Sequence, residues 1–447
     1  MTNFLTPGDP GYDTERTGYN LAVDHKPEVV VPAVSVDDVV AAIRYATARG
    51  LGVAVQATGH GPSCSADGAV LITTSRMDGI TIDPVARTAR VEAGVRGGAL
   101  VRVAAEHGLA PLNGSSPEVG VVSYHLGGGI GMLGRSLGWA VDHVRALEVV
   151  TADGVLRRAT ATEETDLFWA LRGGGKGTLG VVVAIEIELH PIARLYGGGM
   201  HFAAADVSHV LTTWADWTRT APEAMGSSVL LIRMPDLPVL PEALRGRYVV
   251  HVRFAFTGSA ADGERLVQPF RDLGPVTDTV AEMPYSAVGS IHAEPTTPVP
   301  FHAGNAMLAS FDAAAVAELL RQAGPEADAP YLVELRLMGG ALARPGAVPS
   351  ALARRDGEFV LYAGAAAEPD QAPAVHAAYD RLFAALAPWS TGGVCVNFLS
   401  GPDVTAAQLA TGYLPADVAQ LAAVKRAVDP DDVFRFHHGR AVTAFVR

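Results

Sequence analysis

Hydrophobic and polar positions change their spacing along the 447 residues, and the changes divide the chain. From about residue 28 to 194, short runs of branched residues alternate with helical spacing and many glycines. Val29 to Pro32 reads as a strand, because consecutive β-branched residues suit a pleated, buried surface. Ser35 then caps a helix whose first turn carries Asp37 and Asp38, where the helix dipole favours acids. Val36, Val39, Val40 and Ile43 fall on one face at the helical period, and Gly50 supplies the stop. Val53 to Gln56 is the next strand and completes a βαβ unit. A second helix over Gly98 to His107 keeps Leu100, Val103, Ala104 and His107 on one side. Val144 to Thr151 and Gly180 to Leu189 are further β runs.

From about 195 to 400 the period is mostly two. Runs at Val229 to Met234, Tyr248 to Phe256, Tyr331 to Met338 and Phe359 to Ala363 are separated by helical segments near 206–219, 260–272, 313–322 and 371–386. That pattern predicts an antiparallel sheet with helices on one face, an α+β layer. Pro295 to Pro300 reads as a loop, and Ala416 to Val428 as a last helix. The expected division is a first domain over 1–194, a second over 195–400, and a segment 401–447 that returns to the first. A chain this long exceeds one ordinary core, which agrees with two domains.

Composition narrows the function classes. A net charge of −13 without a basic cluster argues against nucleic acid and anionic lipid as partners. Cys64 and Cys395 are the only cysteines, too few for a disulfide framework or a cysteine-rich metal site. No secretory signal and no apolar stretch of membrane-spanning length is visible, so a cytoplasmic protein is expected. No pattern indicates the oligomeric state.

Candidate chemistry lies in three glycine-rich turns: Val53 to Ser65 (VAVQATGHGPSCS), Asn113 to Gly134 (NGSSPEVGVVSYHLGGGIGMLG) and Arg172 to Gly180 (RGGGKGTLG). Small residues let backbone N–H groups approach an anion closely, and diphosphate is the usual guest. Several such nests call for a large ligand with several anionic or planar parts, which describes a dinucleotide. Gly129 to Gly134 has the G-x-G-x-x-G spacing of a Rossmann site, and Glu148 lies near the place of its ribose-binding acid. However, only Arg135 to His143, interrupted by Gly138, is left for a helix that must cross over a parallel sheet. A P-loop ending at Lys176 fails as well, because positions 170 and 177 hold Ala170 and Gly177.

These motifs, in this order, resemble the berberine-bridge-enzyme-like FAD-linked oxidases of the vanillyl-alcohol-oxidase superfamily, nearest to the singly linked 6-hydroxy-D-nicotine oxidase type. The resemblance covers roughly 27–194 and 415–436. It implies a two-subdomain PCMH-type FAD-binding domain plus a substrate domain with an antiparallel sheet covered by helices. His60 holds the place of the histidine that bonds to the flavin 8α-methyl in relatives. A neutral imidazole is a competent nucleophile for that carbon, although a histidine in such a turn can also simply donate a hydrogen bond to diphosphate or pack there. In doubly linked relatives a cysteine in the second turn bonds flavin C6. Ser116 replaces it, so the resemblance implies FAD attached through one histidine. Cys64, on the same turn as His60, is expected to be a buried structural thiol.

By the same resemblance Gln56, Ala57, Thr58, Gly59 and Gly61 of the first turn would line the cofactor. So would Ser116, Pro117, Val119, Gly120, Ser123, Tyr124, Gly127, Gly128 and Gly131 of the second, and Gly180, Val181 and Val182 after the third. Gln56 stands where arginine is usual. Val119 occupies the position linked to oxygen access, where a small residue resembles the oxidases; it is also what an ordinary core holds. Asp142, Lys425, Asp429, Pro430, Phe434 and Arg435 match further family positions, while His437 and His438 replace an Asn-Gln pair that lies near the ring in relatives. The resemblance implies hydride removal from a C–H next to oxygen or nitrogen of a small-molecule or natural-product substrate, with dioxygen reoxidising the flavin to give hydrogen peroxide.

Many relatives use a tyrosine base from a Y-x-N-Y motif. The corresponding stretch here is Cys395-Val396-Asn397-Phe398, so both tyrosines are missing. Candidates for the vacated role are Tyr124 and His125, which either face the flavin or pack beneath it, then Glu334 and Arg336, then His437. Glu334 and Arg336 share a face of their strand and form either part of a substrate pocket or a solvated ion pair. The missing base keeps a second function class open, a flavoprotein cyclase or rearrangement enzyme that uses FAD mainly as scaffold.

Overall fold

The β-branched run Val29–Pro32 (β1) and the capped helix Val36–Ala48 (α1) form where their sequence signals place them. Ser35 Oγ accepts from the Asp38 N–H at 3.3 Å, and the Asp38 carboxylate accepts from Ser35 Oγ in return. The computed structural model describes residues 2–436 apart from Ser63, Gly175, Ala353, Pro402 and Asp403. Val53–Gln56 (β2) is parallel to β1 but not beside it, because Val70–Thr73 (β3) lies between them and pairs with both. The expected βαβ unit is therefore opened by a third strand. Four buried residues in a row along β3 (VLIT) explain its central place: both of its faces are covered.

A second sheet of five antiparallel strands contains Ile80–Asp83 (β4), Thr88–Glu92 (β5), Val144–Val150 (β6), Leu156–Thr160 (β7) and Val181–Glu188 (β8), in the order β4-β5-β8-β6-β7. It packs against Gly97–Ala105 (α2), Val121–Leu126 (α3) and Thr165–Gly174 (α4), with Leu100, Val122, Leu126, Leu167 and Phe168 in the shared core. The carboxy-terminal helix Pro415–Val428 (α9) adds Leu421 and Val424 to that core. The chain after it reaches the first sheet, where the Val53 N–H donates to the Val433 carbonyl at 2.8 Å and Phe434 is fully buried. Lys425 fixes the return: its Nζ donates to the carbonyls of Thr178 and Phe434 and to Asp429.

The third layer is an eight-stranded antiparallel sheet. It holds Arg194–Ala203 (β9), Met225–Arg233 (β10), Tyr248–Phe256 (β11), Thr277–Asp278 (β12), Ala281–Pro284 (β13), Phe301–Leu308 (β14), Leu332–Leu337 (β15) and Phe359–Ala366 (β16). The order is β12-β9-β11-β10-β15-β16-β14, with β13 pairing β9 further along. Helices Val207–Thr218 (α5), Ala260–Arg271 (α6), Ala313–Ala323 (α7) and Ala372–Leu386 (α8) cover one face. That face is apolar at every second residue: Met200, Phe202, Val229, Leu231, Val250, Val252, Val333, Leu335, Leu361 and Ala363 meet Trp214, Phe270, Leu319 and Leu382. Because successive side chains alternate, His201, Ser228, His251, Arg253, Glu334, Arg336 and Tyr362 stand on the opposite face. The sequence pattern misses β9, whose centre Gly197-Gly198-Gly199 has no side chain to register a period, and β14.

Candidate active site

The first glycine turn leaves β2 and is held by the amino-terminal segment. The Tyr19 N–H donates to the Thr58 carbonyl at 2.9 Å, and the Asn20 N–H to the Gly59 carbonyl at 3.0 Å. Gly59 has φ +69°, a conformation that side-chain-bearing residues rarely adopt. This pairing stacks the Tyr19 ring on the His60 imidazole, centroids 3.7 Å apart and planes at 12°. Among the described residues His60 Nε2 is buried without a hydrogen-bond partner. Burial, helped by the Arg96 charge, pushes the His60 pKa down to about 4, against a backbone hydrogen bond to Glu118. The imidazole is thus neutral at physiological pH, with a free buried nitrogen. Gln56 is less available: His25 Nε2 sits 3.1 Å from its Oε1, so its carboxamide is held by the amino-terminal segment. Cys64 is half-buried, not buried as expected.

The second turn crosses the first. A methyl on Gly120 would lie 3.6 Å from both Ala57 Cβ and Thr58 Cγ2. The N-terminus of α2 grips it, with the N–H groups of Gly97 and Gly98 donating to the carbonyls of Val119 and Pro117 at 2.9 and 2.8 Å. Ser116 is buried, and its Oγ accepts from the Glu118 N–H at 3.3 Å. Ser123 Oγ lies 3.4 Å from the Gly120 carbonyl. Tyr124 closes over the glycine run: a methyl on Gly131 would meet its Oη at 3.1 Å. That hydroxyl is buried and unpartnered, and burial raises its pKa. A phenol that resists ionisation is a poor base. His125 is buried with Nδ1 2.8 Å from the Val121 carbonyl and a pKa pushed down to about 4 by burial; it packs under the turn.

At Gly127 a side chain would overlap the Asn397 carboxamide and meet Lys176 Cδ at 2.9 Å, so glycine is required there. Asn397 Nδ2 donates to the Tyr124 carbonyl at 2.8 Å and ties the sheet layer to the second turn. Lys176, in the third turn, reaches the point where all three turns converge: a methyl on Gly61 would lie 3.8 Å from its Nζ. Burial pulls the Lys176 pKa down to about 8, opposed by the Cys395 thiol, which burial itself raises to about 11. Among the described residues no carboxylate forms an ion pair with Lys176. Gly180 opens β8 with φ +145°, because a side chain there would meet the Val150 carbonyl at 2.6 Å. Val181 and Val182 then enter the two cores on either side.

Facing the turns is the polar side of the eight-stranded sheet. Glu334 is buried, with Oε1 2.8 Å from Arg253 Nη1 and Oε2 2.9 Å from Arg336 Nη2. The two guanidiniums hold its carboxyl well below the usual range although burial opposes them. The pair expected either in a pocket or in solvent is thus a buried network, and its carboxylate is a weak base. Arg336 Nη2 also donates to Ser115 Oγ at 3.2 Å, on the second turn, and its guanidinium lies 4.9 Å over the Phe398 ring. Phe398 packs on Tyr362, centroids 5.3 Å apart.

The structure therefore brings His60, Ser116, Tyr124, Glu334 and Arg336 to one cleft, and leaves His125 beneath it. His437 and His438 lie outside the described residues. Sequence reasoning missed Tyr19, Arg253, His292, Tyr362 and the role of Lys176. Glu148, the acid a Rossmann site would have needed, is bound by Arg90 at 2.8 and 2.7 Å. The cleft fits a flavin dinucleotide on its own features: an unpaired buried imidazole, glycines whose methyls would fill the space between turns, and an unpaired tyrosine hydroxyl. Among the described residues no group of three or more His, Cys, Asp and Glu is placed to hold a metal ion, and no helix is long and apolar enough to cross a membrane.

Comparison with known proteins agrees. The "FAD binding domain" family matches residues 27–160. (R)-6-hydroxynicotine oxidase of Paenarthrobacter nicotinovorans is 29% identical over 97% of this chain and 95% of its own. The crystal structure of 6-hydroxy-D-nicotine oxidase from Arthrobacter nicotinovorans superposes with a TM-score of 0.83 and 27% identity, covering 98% of this chain and 97% of that one. BBE-like 1 of Physcomitrella patens shares the fold, with a TM-score of 0.84 at 21% identity over 97% of this chain and 96% of its own.

Proposed function

The chain belongs to the FAD-linked oxidoreductases of this fold, and from that premise we propose that it is an oxidase with a single covalent flavin anchor, His60. It takes a hydride from a C–H next to oxygen or nitrogen of a small-molecule substrate, and dioxygen receives the electrons as hydrogen peroxide. The observation that carries the reading is the neutral, unpaired Nε2 of His60, held rigid between Tyr19 and the Glu118 backbone. A buried nitrogen without a partner costs about 1–3 kcal/mol, which a bond to the 8α carbon would relieve. Ser116 supplies no thiolate for a second bond. Bound FAD supplies the hydride acceptor; the chain's residues hold it, orient the donor carbon and remove a proton.

Ala57, Thr58, Gly59, Gly61, Pro117, Val119, Gly120, Ser123, Tyr124, Gly127, Gly128 and Gly131 would line the cofactor, with Gly180, Val181 and Val182 behind it. Arg336, Tyr362 and Phe398 would form the opposite wall, where substrate enters. Proton removal falls to Lys176 Nζ. Among the described residues it forms no ion pair, and it and the Cys395 thiol, at the place where the resemblance puts a tyrosine, act on each other's charge. A lysine with a pKa near 8 is an effective base at slightly alkaline pH.

Denatured, acid-precipitated protein should keep its yellow colour, and His60→Ala protein should release it. Full release from the unmodified protein would remove the covalent anchor from the reading. Oxidase chemistry is checked on the same material: anaerobic substrate should bleach the flavin band, and air should restore it with one peroxide per turnover. A cyclase using FAD as scaffold would form product with the band unchanged.

A further inference from the structure

Behind Arg336 the sheet's polar face encloses a cavity of about 30 Å³, bounded on the other side by Ile130, Gly131 and Met132 of the second turn. A cavity needs about 10–15 Å³ to admit one water, so this one has room for a group the size of a carboxylate. Its charged lining is one-signed. Arg135, Arg253 and Arg336 line it, and no Asp or Glu does. Arg135 donates to the carbonyls of Ala221, Met225 and Met338 and forms no ion pair among the described residues, although the Glu358 and Glu223 charges act on it. Arg253 and Arg336 share one acid between them, Glu334. Glu294, on the loop before β14, is half-exposed and forms no ion pair among the described residues, but its charge acts on both Arg253 and Arg336.

The hydrogen-bonding groups are equally incomplete. Among the described residues Ser228 Oγ is buried without a hydrogen-bond partner, and so is Nδ1 of His292. His292 Nε2 lies 3.4 Å from Glu334 Oε1, a contact that favours the carboxylate's charge. Among the described residues Arg253 bonds through Nε to His251 Nδ1 and through Nη1 to Glu334 but not through Nη2, and Arg336 bonds through Nε and Nη2 but not through Nη1. The imidazoles add no charge, since burial and the neighbouring Arg253 keep His201, His251 and His292 neutral. Three guanidiniums, two of them buried, line a cavity that no acid lines, so an anion seated beside the unused donors would be held favourably.

We propose that this cavity is the subsite for a carboxylate of the substrate, seated on Arg253 and Arg336 with Ser228 and His292 as further donors. The assignment rests on the oxidase reading above and deepens it by naming the substrate class: a small molecule whose oxidisable C–H belongs to a carboxylic acid. Arg336 links the two regions, because the same guanidinium lines the cavity and contacts Ser115 of the second turn.

The test uses the purified holoprotein, with acetate and benzoate titrated against acetamide and benzamide at fixed ionic strength and followed by calorimetry and by the flavin absorption band. Each acid should bind at least tenfold more tightly than its amide. Arg336→Gln should abolish that preference, whereas Glu334→Gln, which removes the competing acid, should tighten acid binding about tenfold. Equal affinity for acids and amides, no binding of either, or weaker acid binding in Glu334→Gln would each overturn the proposal. The acid–amide comparison stands on the unmodified protein, so a variant that fails to fold does not decide it. Chloride binding as tightly as benzoate would show a free-anion site and also overturn the assignment. Colour retained by the precipitated protein together with equal acid and amide binding would discard this subsite and leave the proposed function standing.

Discussion

In the proposed reading Lys176 is the base, and replacing it with methionine is the sharpest test of the cleft. Methionine keeps the length and apolar stem and removes only the ammonium. In the native protein a pKa near 8 leaves ~10% of Lys176 as free base at pH 7 and ~90% at pH 9. The rate of substrate-driven flavin bleaching, measured anaerobically in a stopped-flow instrument, should therefore rise about ninefold over that interval and level off above it. The direction follows from the cause: burial disfavours the charged form, so the base form appears at lower pH than for a lysine in water. A positioned base contributes on the order of 10²–10⁴ in rate, so Lys176→Met should lose at least about a hundredfold and lose the rise with pH. Added methylamine should restore part of the rate if the cavity left by the ammonium admits it. Bleaching in the variant at the native rate, or with the same pH dependence, would refute the assignment.

Other consequences are checked more simply. Lys425→Met breaks a buried pair with Asp429 and frees two carbonyls, so it should cost about 3–5 kcal/mol of stability and lower the Tm by several degrees in thermal denaturation. Val119→Leu adds a methylene to a half-buried position of the second turn; it should slow reoxidation of the reduced protein by air while leaving anaerobic bleaching nearly unchanged. Tyr19→Ala removes the ring stacked on His60 and should lower the fraction of flavin that stays with precipitated protein, because the imidazole is then free to rotate.

Motif order made the cofactor side of the cleft legible. The glycine turns and His60 are local in sequence, and Gly59, Gly127, Gly131 and Gly180 are each required by a close approach that a side chain would block. The sheet side is different, because its function depends on which strands become neighbours. Glu334 and Arg336 were readable as a pair from period two, and the same alternation places His251 and Arg253 on one face of their strand. What no local pattern gives is the register that puts Ser228 opposite both Arg253 and Arg336, and so builds one buried network from three strands. Tyr19 was hidden for a related reason: it joins His60 only through backbone hydrogen bonds between segments about forty residues apart.

The missing tyrosines and the position of Lys176 are connected in the proposed reading. Cys395 and Phe398 leave the substrate side of the cleft without an ionisable hydroxyl, and Cys395 occupies less volume than a tyrosine would. A close-packed interior does not leave such space empty. The third turn carries Lys176 into the same region, close enough that Gly127 admits no side chain and that the thiol and the amine influence each other's ionisation. In the proposed reading the base comes from the cofactor layer, opposite a sheet face lined by arginines. A base supplied from that side would free the sheet face for binding, and a cavity lined by three arginines and no acid would favour an acid.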